Sequence, residues 1–168
     1  MSFAGLAGFD WIVLAVIAFS SLLGMWRGLV SEVLALLAWI AGFFAARAWG
    51  GAAAELLSGW VHDPALRQMA GFVTVFVATM LLFAVARFVF SSLLRAIGLG
   101  LVDRFLGALF GIVRGLVVVL IGVLLGGMTE LPRQEWWREA FLAPPLETAV
   151  VALKPWLPSQ VAQRIRYR

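Results

Sequence analysis

The sequence has no cysteine, one histidine, one tyrosine and a single lysine. Without thiols it has no disulfide framework, and no thiolate for zinc or an iron–sulfur cluster. One imidazole builds neither a histidine metal site nor a nucleophile–base relay, so no catalytic, metal or cofactor-binding residue is nominated. Charge is scarce too: 13% of the 168 residues are Asp, Glu, Lys or Arg, against about a quarter in a soluble domain. What is there instead is apolar. Hydrophobic residues make up 63% of the chain and the mean hydropathy is +1.00, more than a water-soluble core of this length encloses. A lipid bilayer is the expected surrounding, and disorder is excluded. The net charge of +4 would suit nucleic acid, but the basic residues stand singly at the flanks of apolar runs, so no nucleic-acid partner is expected.

Charge-free runs cover residues 11–26, 33–46 and 68–86, and 105–129 holds one charge, Arg114. A hydrocarbon core of about 30 Å takes roughly 20 helical residues. The last two runs reach that length; the first two borrow uncharged flanks. The expectation is an all-α integral membrane protein with four transmembrane helices, at 9–26, 29–48, 68–88 and 104–128. Trp11, Trp26, Trp49 and Trp60 fall near their ends as interfacial anchors. Because the Trp26-Arg27-Gly28 link is short, a re-entrant hairpin of the first two segments is the rival arrangement. No basic residue precedes the first apolar run, so the first span is read as retained, not cleaved as a signal. Arg27 directly after that span, and the compact Arg87–Arg104 loop, put those arginines inside and both termini outside.

Residues 1–129 are thus a transmembrane domain and 130–168 an amphipathic, Pro-interrupted C-terminal tail. The tail holds five of the six prolines. Pro132 is expected to open a helix with Trp136, Trp137, Phe141 and Leu142 mostly on one side. Pro144-Pro145 should break it, a second helix should run over 146–154, and Pro158 should start a third. Such Trp- and Arg-rich pieces read as lying on the membrane surface.

Two spans carry stripes of small residues. Gly28, Ser31, Ala35, Ala38, Gly42 and Ala45 follow a 3, 4, 3, 4, 3 spacing, one face of a helix. Gly107, Gly111 and Gly115, then Gly122 and Gly126, fall within an arc of about 100°. Helices in lipid associate where small residues let backbones approach, so both stripes mark close contacts. The glycine face serves either packing within the chain or a homo-oligomer.

Arg114 is the charge out of place. An intramembrane arginine needs an acid, a carbonyl or water. The acids in reach of the membrane edges are Asp10, Glu32 and Asp103, with Glu32 the more interesting because it lies inside the second segment. The arrangement is a fixed ion pair, a hydrated path for solute or proton, or a side chain snorkelling to the interface. Asp10, Arg27, Glu32, Asp103, Arg104 and Arg114 are therefore the candidate polar residues. Gly24–Val30 and Gly111–Val117 also share the pattern G-x-x-R-G-L-V, as repeated halves of a transporter would. Ser20 and Ser21 have no histidine partner and are expected to bond back to their own helix. His62 reads as a solvated loop residue.

The stretches Phe9-Asp10-Trp11, Arg27-Gly28-Leu29-Val30-Ser31-Glu32 and Asp103-Arg104-Phe105-Leu106-Gly107, continuing to Phe110-Gly111 and Arg114-Gly115, resemble the colicin V production protein family of bacterial inner membranes. The family pattern is an early Asp, an R-G-x-x-x-E turn and D-R-x-L-G-x-x-F-G-x-x-R-G, spread over most of residues 9–125; the tail matches loosely. The resemblance implies a non-enzymatic, multipass protein of the bacterial inner membrane with four spans, needed for colicin V production and serving export or envelope maintenance with an unknown membrane partner. It transfers no catalytic residue. The alternatives are a small-solute transporter or channel, and a membrane scaffold or assembly factor.

Overall fold

The computed structural model describes residues 7–156 and residue 167. Four long helices follow one another: α1 Gly8–Arg27, α2 Leu29–Leu56, α3 Pro64–Ala96 and α4 Gly100–Gly126. Each is long and apolar enough to cross a membrane. Even α1, the shortest at 20 residues, extends about 30 Å at 1.5 Å per residue. The first two segments are therefore two full helices rather than a re-entrant pair. The chain is an all-α membrane protein.

The helices outrun the apolar segments. α2 continues eight residues past position 48, and α3 starts four before 68 and ends eight after 88. Charges mark where hydrocarbon ends, whereas backbone chemistry ends a helix. Asp63 caps α3 by accepting from the Leu66 N–H at 2.8 Å, and Pro64 takes its first position. Gly98, at φ 81°, supplies the left-handed residue just beyond its other end.

By its contacts the chain divides into two compact units: Met25–Gly107, and Met1–Gly24 with Ala108–Arg168. In the first, α2 and α3 form an antiparallel pair. Ala38, Gly42, Ala46, Gly50 and Ala54 are buried at four-residue steps. A Cβ on Gly42 would lie 3.1 Å from Phe76 and Met80, and one on Gly71 would press into the Gly50 carbonyl and the Ala54 nitrogen. The small-residue contact thus exists, but it runs on through Ala46, Gly50 and Ala54, and Ala45 stands at its edge. Gly71 is the buried residue of α3; Leu81, Leu82 and Phe88 are among its exposed apolar side chains, placed to meet lipid.

In the second unit α1 lies along α4. Gly111, Gly115, Val119 and Val123 are buried in turn, and the two valines share a core with Phe9 and Val13. Residues four apart form a ridge inclined to the helix axis. The contact drifts along that ridge from glycines to valines and leaves Gly122 with nothing within 4 Å. The five-glycine arc is therefore not one interface: Gly111 and Gly115 meet α1, and Gly126 meets Trp137 of the tail.

The tail starts with a 3-10 turn, Leu131–Arg133, and continues through α5 Glu135–Arg138, α6 Ala143–Leu153 and a final turn Lys154–Trp156. Pro132 thus opens only a single turn. Pro144 and Pro145 begin a helix instead of breaking one, because the first turn has no intrahelical acceptor for the N–H groups that proline lacks. The aromatics do not share a side: Trp137 is 3% exposed and Phe141 73%. Trp137, Ala140, Ala143, Leu146 and Val150 join Phe9, Val13, Val119 and Val123 in a common core. The expected helix from Pro158 lies outside the described residues.

Candidate functional site

Three polar clusters occupy this apolar framework. The first is at the start of α2. Gly28 ends α1 with φ 81° and ψ 157°, a backbone region essentially reserved for glycine. A Cβ there would also overlap the Asp103 carboxylate. Asp103 Oδ1 accepts from the Val30 N–H at 2.9 Å. An acid from α4 thereby caps α2, whose own cap position offers no side chain, and its negative charge faces the positive end of the helix. Arg27 Nη1 lies 3.6 Å from Glu32 Oε1, and Glu32 is 4% exposed. The Ser31 and Ser91 hydroxyls are 3.1 Å apart. Gly28, expected within the small-residue stripe of a helix, is instead the break between two helices. Arg104 is exposed.

The second cluster surrounds Asp10, which is fully buried. Its Oδ1 accepts from Leu142 N–H at 2.8 Å, and its Oδ2 from the N–H groups of Phe141 and Ala7 at 3.1 Å each. One carboxylate thus ties the beginning of α1 to the residues that lead into α6, through charge-assisted bonds. Nearby, Trp137 Nε1 donates to Glu147 Oε1 at 2.8 Å, and the Phe9 and Trp137 rings are 4.4 Å apart. The Tyr167 hydroxyl donates to the Val123 carbonyl at 2.9 Å. Burial, with the Glu147 charge adding to it, pushes that phenol up to about 12.

Arg114 centres the third. Its Nε donates to Ser20 Oγ at 3.0 Å and its Nη2 to the Ser20 carbonyl at 3.2 Å. The approach depends on glycine: a Cβ on Gly111 would strike the Ser20 carbonyl and lie 2.8 Å from Ser21 Cα, and one on Gly115 would lie 3.0 Å from Ile17 Cα. Ser21 Oγ donates to the Ala108 carbonyl at 3.2 Å. Both serines therefore reach across to α4 instead of back along α1. A cleft of about 260 Å³ opens beside Arg114, lined by Val16, Phe19, Leu23 and Val118. Asp10 stands ten residues before Ser20, about 15 Å along α1, and holds the tail. Asp103 holds α2. Two of the three acids considered for Arg114 thus bind backbone N–H groups.

Several partners have no signature in the sequence. The N–H groups of Val30, Phe141 and Leu142 belong to the backbone, and Ser91 follows no pattern. Ser20 was visible as a serine, but its reach to Arg114 depends on the α1–α4 crossing. Gly50 and Ala54 were within reach of sequence reasoning: they extend the four-residue row beyond the apolar run.

Asp10, Arg27, Glu32, Asp103 and Arg114 in these clusters are residues of the early Asp, the R-G-x-x-x-E turn and the D-R…R-G stretch. The sequence model described as colicin V production protein matches residues 9–151. The chain belongs to this family. It is 35% identical over 136 residues to the colicin V production protein homolog of Haemophilus influenzae, covering 80% of this chain and 83% of the relative. The colicin V production protein of Escherichia coli shows the same identity and coverage. No solved structure matches. The family match takes in Asp10, Arg27, Glu32, Asp103 and Arg114 and continues through α5 and most of α6, further than the motifs themselves extend.

Proposed function

We propose that this colicin V production family member is a non-catalytic scaffold of the bacterial inner membrane. In this reading it supports toxin production or export and the upkeep of the envelope. The observation that carries the reading is how the intramembrane polar groups are used. Asp10 holds the tail, Asp103 caps α2, and Arg114 joins α4 to Ser20 of α1. Each draws segments of backbone together, as an assembly platform requires. A transport path would hold such groups available to a passing solute or proton. The two relatives, named for colicin V production, support the link to that toxin.

A second reading, a solute or proton path, draws on the cleft beside Arg114. Proteoliposomes separate the two. The scaffold reading expects no protein-dependent flux of protons or small solutes, and the same result for Arg114→Ala. It also expects Asp10→Ala to abolish complementation of colicin V production in a strain deleted for its own family member. Flux that disappears in Arg114→Ala would overturn it. Both termini are proposed to face the periplasm, from the arginines that follow α1 and end α3; a C-terminal reporter active only in the cytoplasm should stay dark.

A further inference from the structure

Within the unit Met25–Gly107, α2 and α3 leave between them a groove of about 220 Å³, whose lining includes Ala35, Ala38, Trp39, Met80, Ala84 and Arg87. We propose that this groove seats part of an acyl chain of an anionic glycerophospholipid whose phosphate pairs with Arg87.

Depth is the first argument. Residues 68–86 are free of charge, and their 19 residues extend about 28 Å as helix, close to the thickness of the hydrocarbon core. Arg87 is thus the first charge past the hydrocarbon, at the level of lipid phosphates. Met80 lies two turns, about 10 Å, deeper. A phosphate on the guanidinium and a chain running down to Met80 fit that span.

Shape is the second. Alanines at 35, 38 and 84 leave room where larger side chains would close the helix pair, and the walls below Arg87 are apolar. A groove of this size accepts part of one chain, not a whole lipid.

Charge is the third. Arg87 is exposed, and among the described residues no carboxylate lies within ion-pair distance of it. Arg95, two turns on, donates instead to Ser92 Oγ. Since Ser31 of α2 meets Ser91 of α3, Arg27, Arg87 and Arg95 belong to the same end of the pair. Glu32 and Asp103 at that end are already engaged with Arg27 and Val30. Arg forks match phosphate oxygens in pairs, and basic pockets flanking membrane helices hold anionic headgroups.

The test uses the full chain purified in detergent, with bound lipid read by native mass spectrometry. Equal amounts of phosphatidylglycerol and phosphatidylcholine are offered. The wild type should retain phosphatidylglycerol about fivefold over phosphatidylcholine, the preference expected of one basic residue near an anionic surface. Arg87→Gln should reduce that preference to less than twofold, while Arg95→Gln leaves it unchanged. Ala84→Phe, which fills the groove and keeps the charge, should lower phosphatidylglycerol retention as far as Arg87→Gln does. Circular dichroism should show wild-type helicity in all three variants. An equal effect of Arg95→Gln would reduce the interaction to diffuse charge and overturn the proposal. So would full retention in Ala84→Phe, or displacement of the lipid by inorganic phosphate alone, since either removes the acyl chain from the groove.

Discussion

Gly24–Val30 and Gly111–Val117 share five of seven residues and are built differently. In the first, the helix stops at Arg27, Gly28 turns to positive φ, and a new helix begins at Leu29. In the second, α4 runs through without interruption. The arginines differ as well. The Arg27 side chain is half exposed and faces Glu32, while Arg114 is partly buried and donates to Ser20. An identical local pattern therefore does not choose its own backbone. The first copy is broken where Asp103 can take the Val30 N–H, and the second stays whole where its glycines must lie flat against α1. Glycine serves opposite ends: at 28 it permits a conformation, and at 111 and 115 it permits an approach.

The comparison can be broken most forcefully at the approach. Gly111→Leu forces a side chain into the Ser20–Ser21 backbone, which has no room to yield, and strands Arg114 away from its partner. Overpacking of that kind costs about 3 kcal/mol or more, and the protein should fall to a small fraction of its normal membrane abundance on an immunoblot. Gly122→Leu, into open space on the same helix, should be present at the wild-type level. Normal abundance of Gly111→Leu would show that the helices do not touch there.

The conformation is the next target. Gly28→Ala meets both a forbidden φ and the Asp103 carboxylate, for about 1–3 kcal/mol of strain plus the clash. Gly115→Ala in the second copy keeps an ordinary helical φ and needs its neighbours to shift only by tenths of an ångström, so it should lower the melting temperature less. Adding Asp103→Ala to Gly28→Ala should recover the clash but not the strain. The double-mutant cycle in thermal melts would then show coupling of the two sites. Strict additivity would mean that Gly28 and Asp103 are not in contact.

The arginines give the smallest and sharpest contrast. Ser20→Ala removes the hydroxyl acceptor of Arg114, a charged hydrogen bond in an apolar setting worth about 1.5–3 kcal/mol. Arg27→Gln removes a half-exposed ion pair, worth about 1 kcal/mol at most. Thermal stability in one detergent should rank Ser20→Ala below Arg27→Gln, and the reverse order would mean that the buried copy is not the more demanding one.

Composition and periodicity determined much by themselves. Runs of apolar residues long enough for hydrocarbon leave helix as the state that satisfies every backbone N–H and C=O within one segment, so the four spans were legible. So were the small-residue contacts around Gly42, Gly111 and Gly115, because only small residues let helices meet closely in lipid. Motif residues such as Asp10, Glu32, Asp103 and Arg114 stood out for their charge. Their partners did not. Asp10 binds residues 131 and 132 positions away, and Asp103 caps a helix 73 positions earlier. The acceptors were visible as carboxylates, but every residue except proline carries an N–H, so nothing in the sequence marks which one a carboxylate will find. Only the tertiary structure decided that, along with the break at Gly28, because each depends on which chain segment arrives alongside.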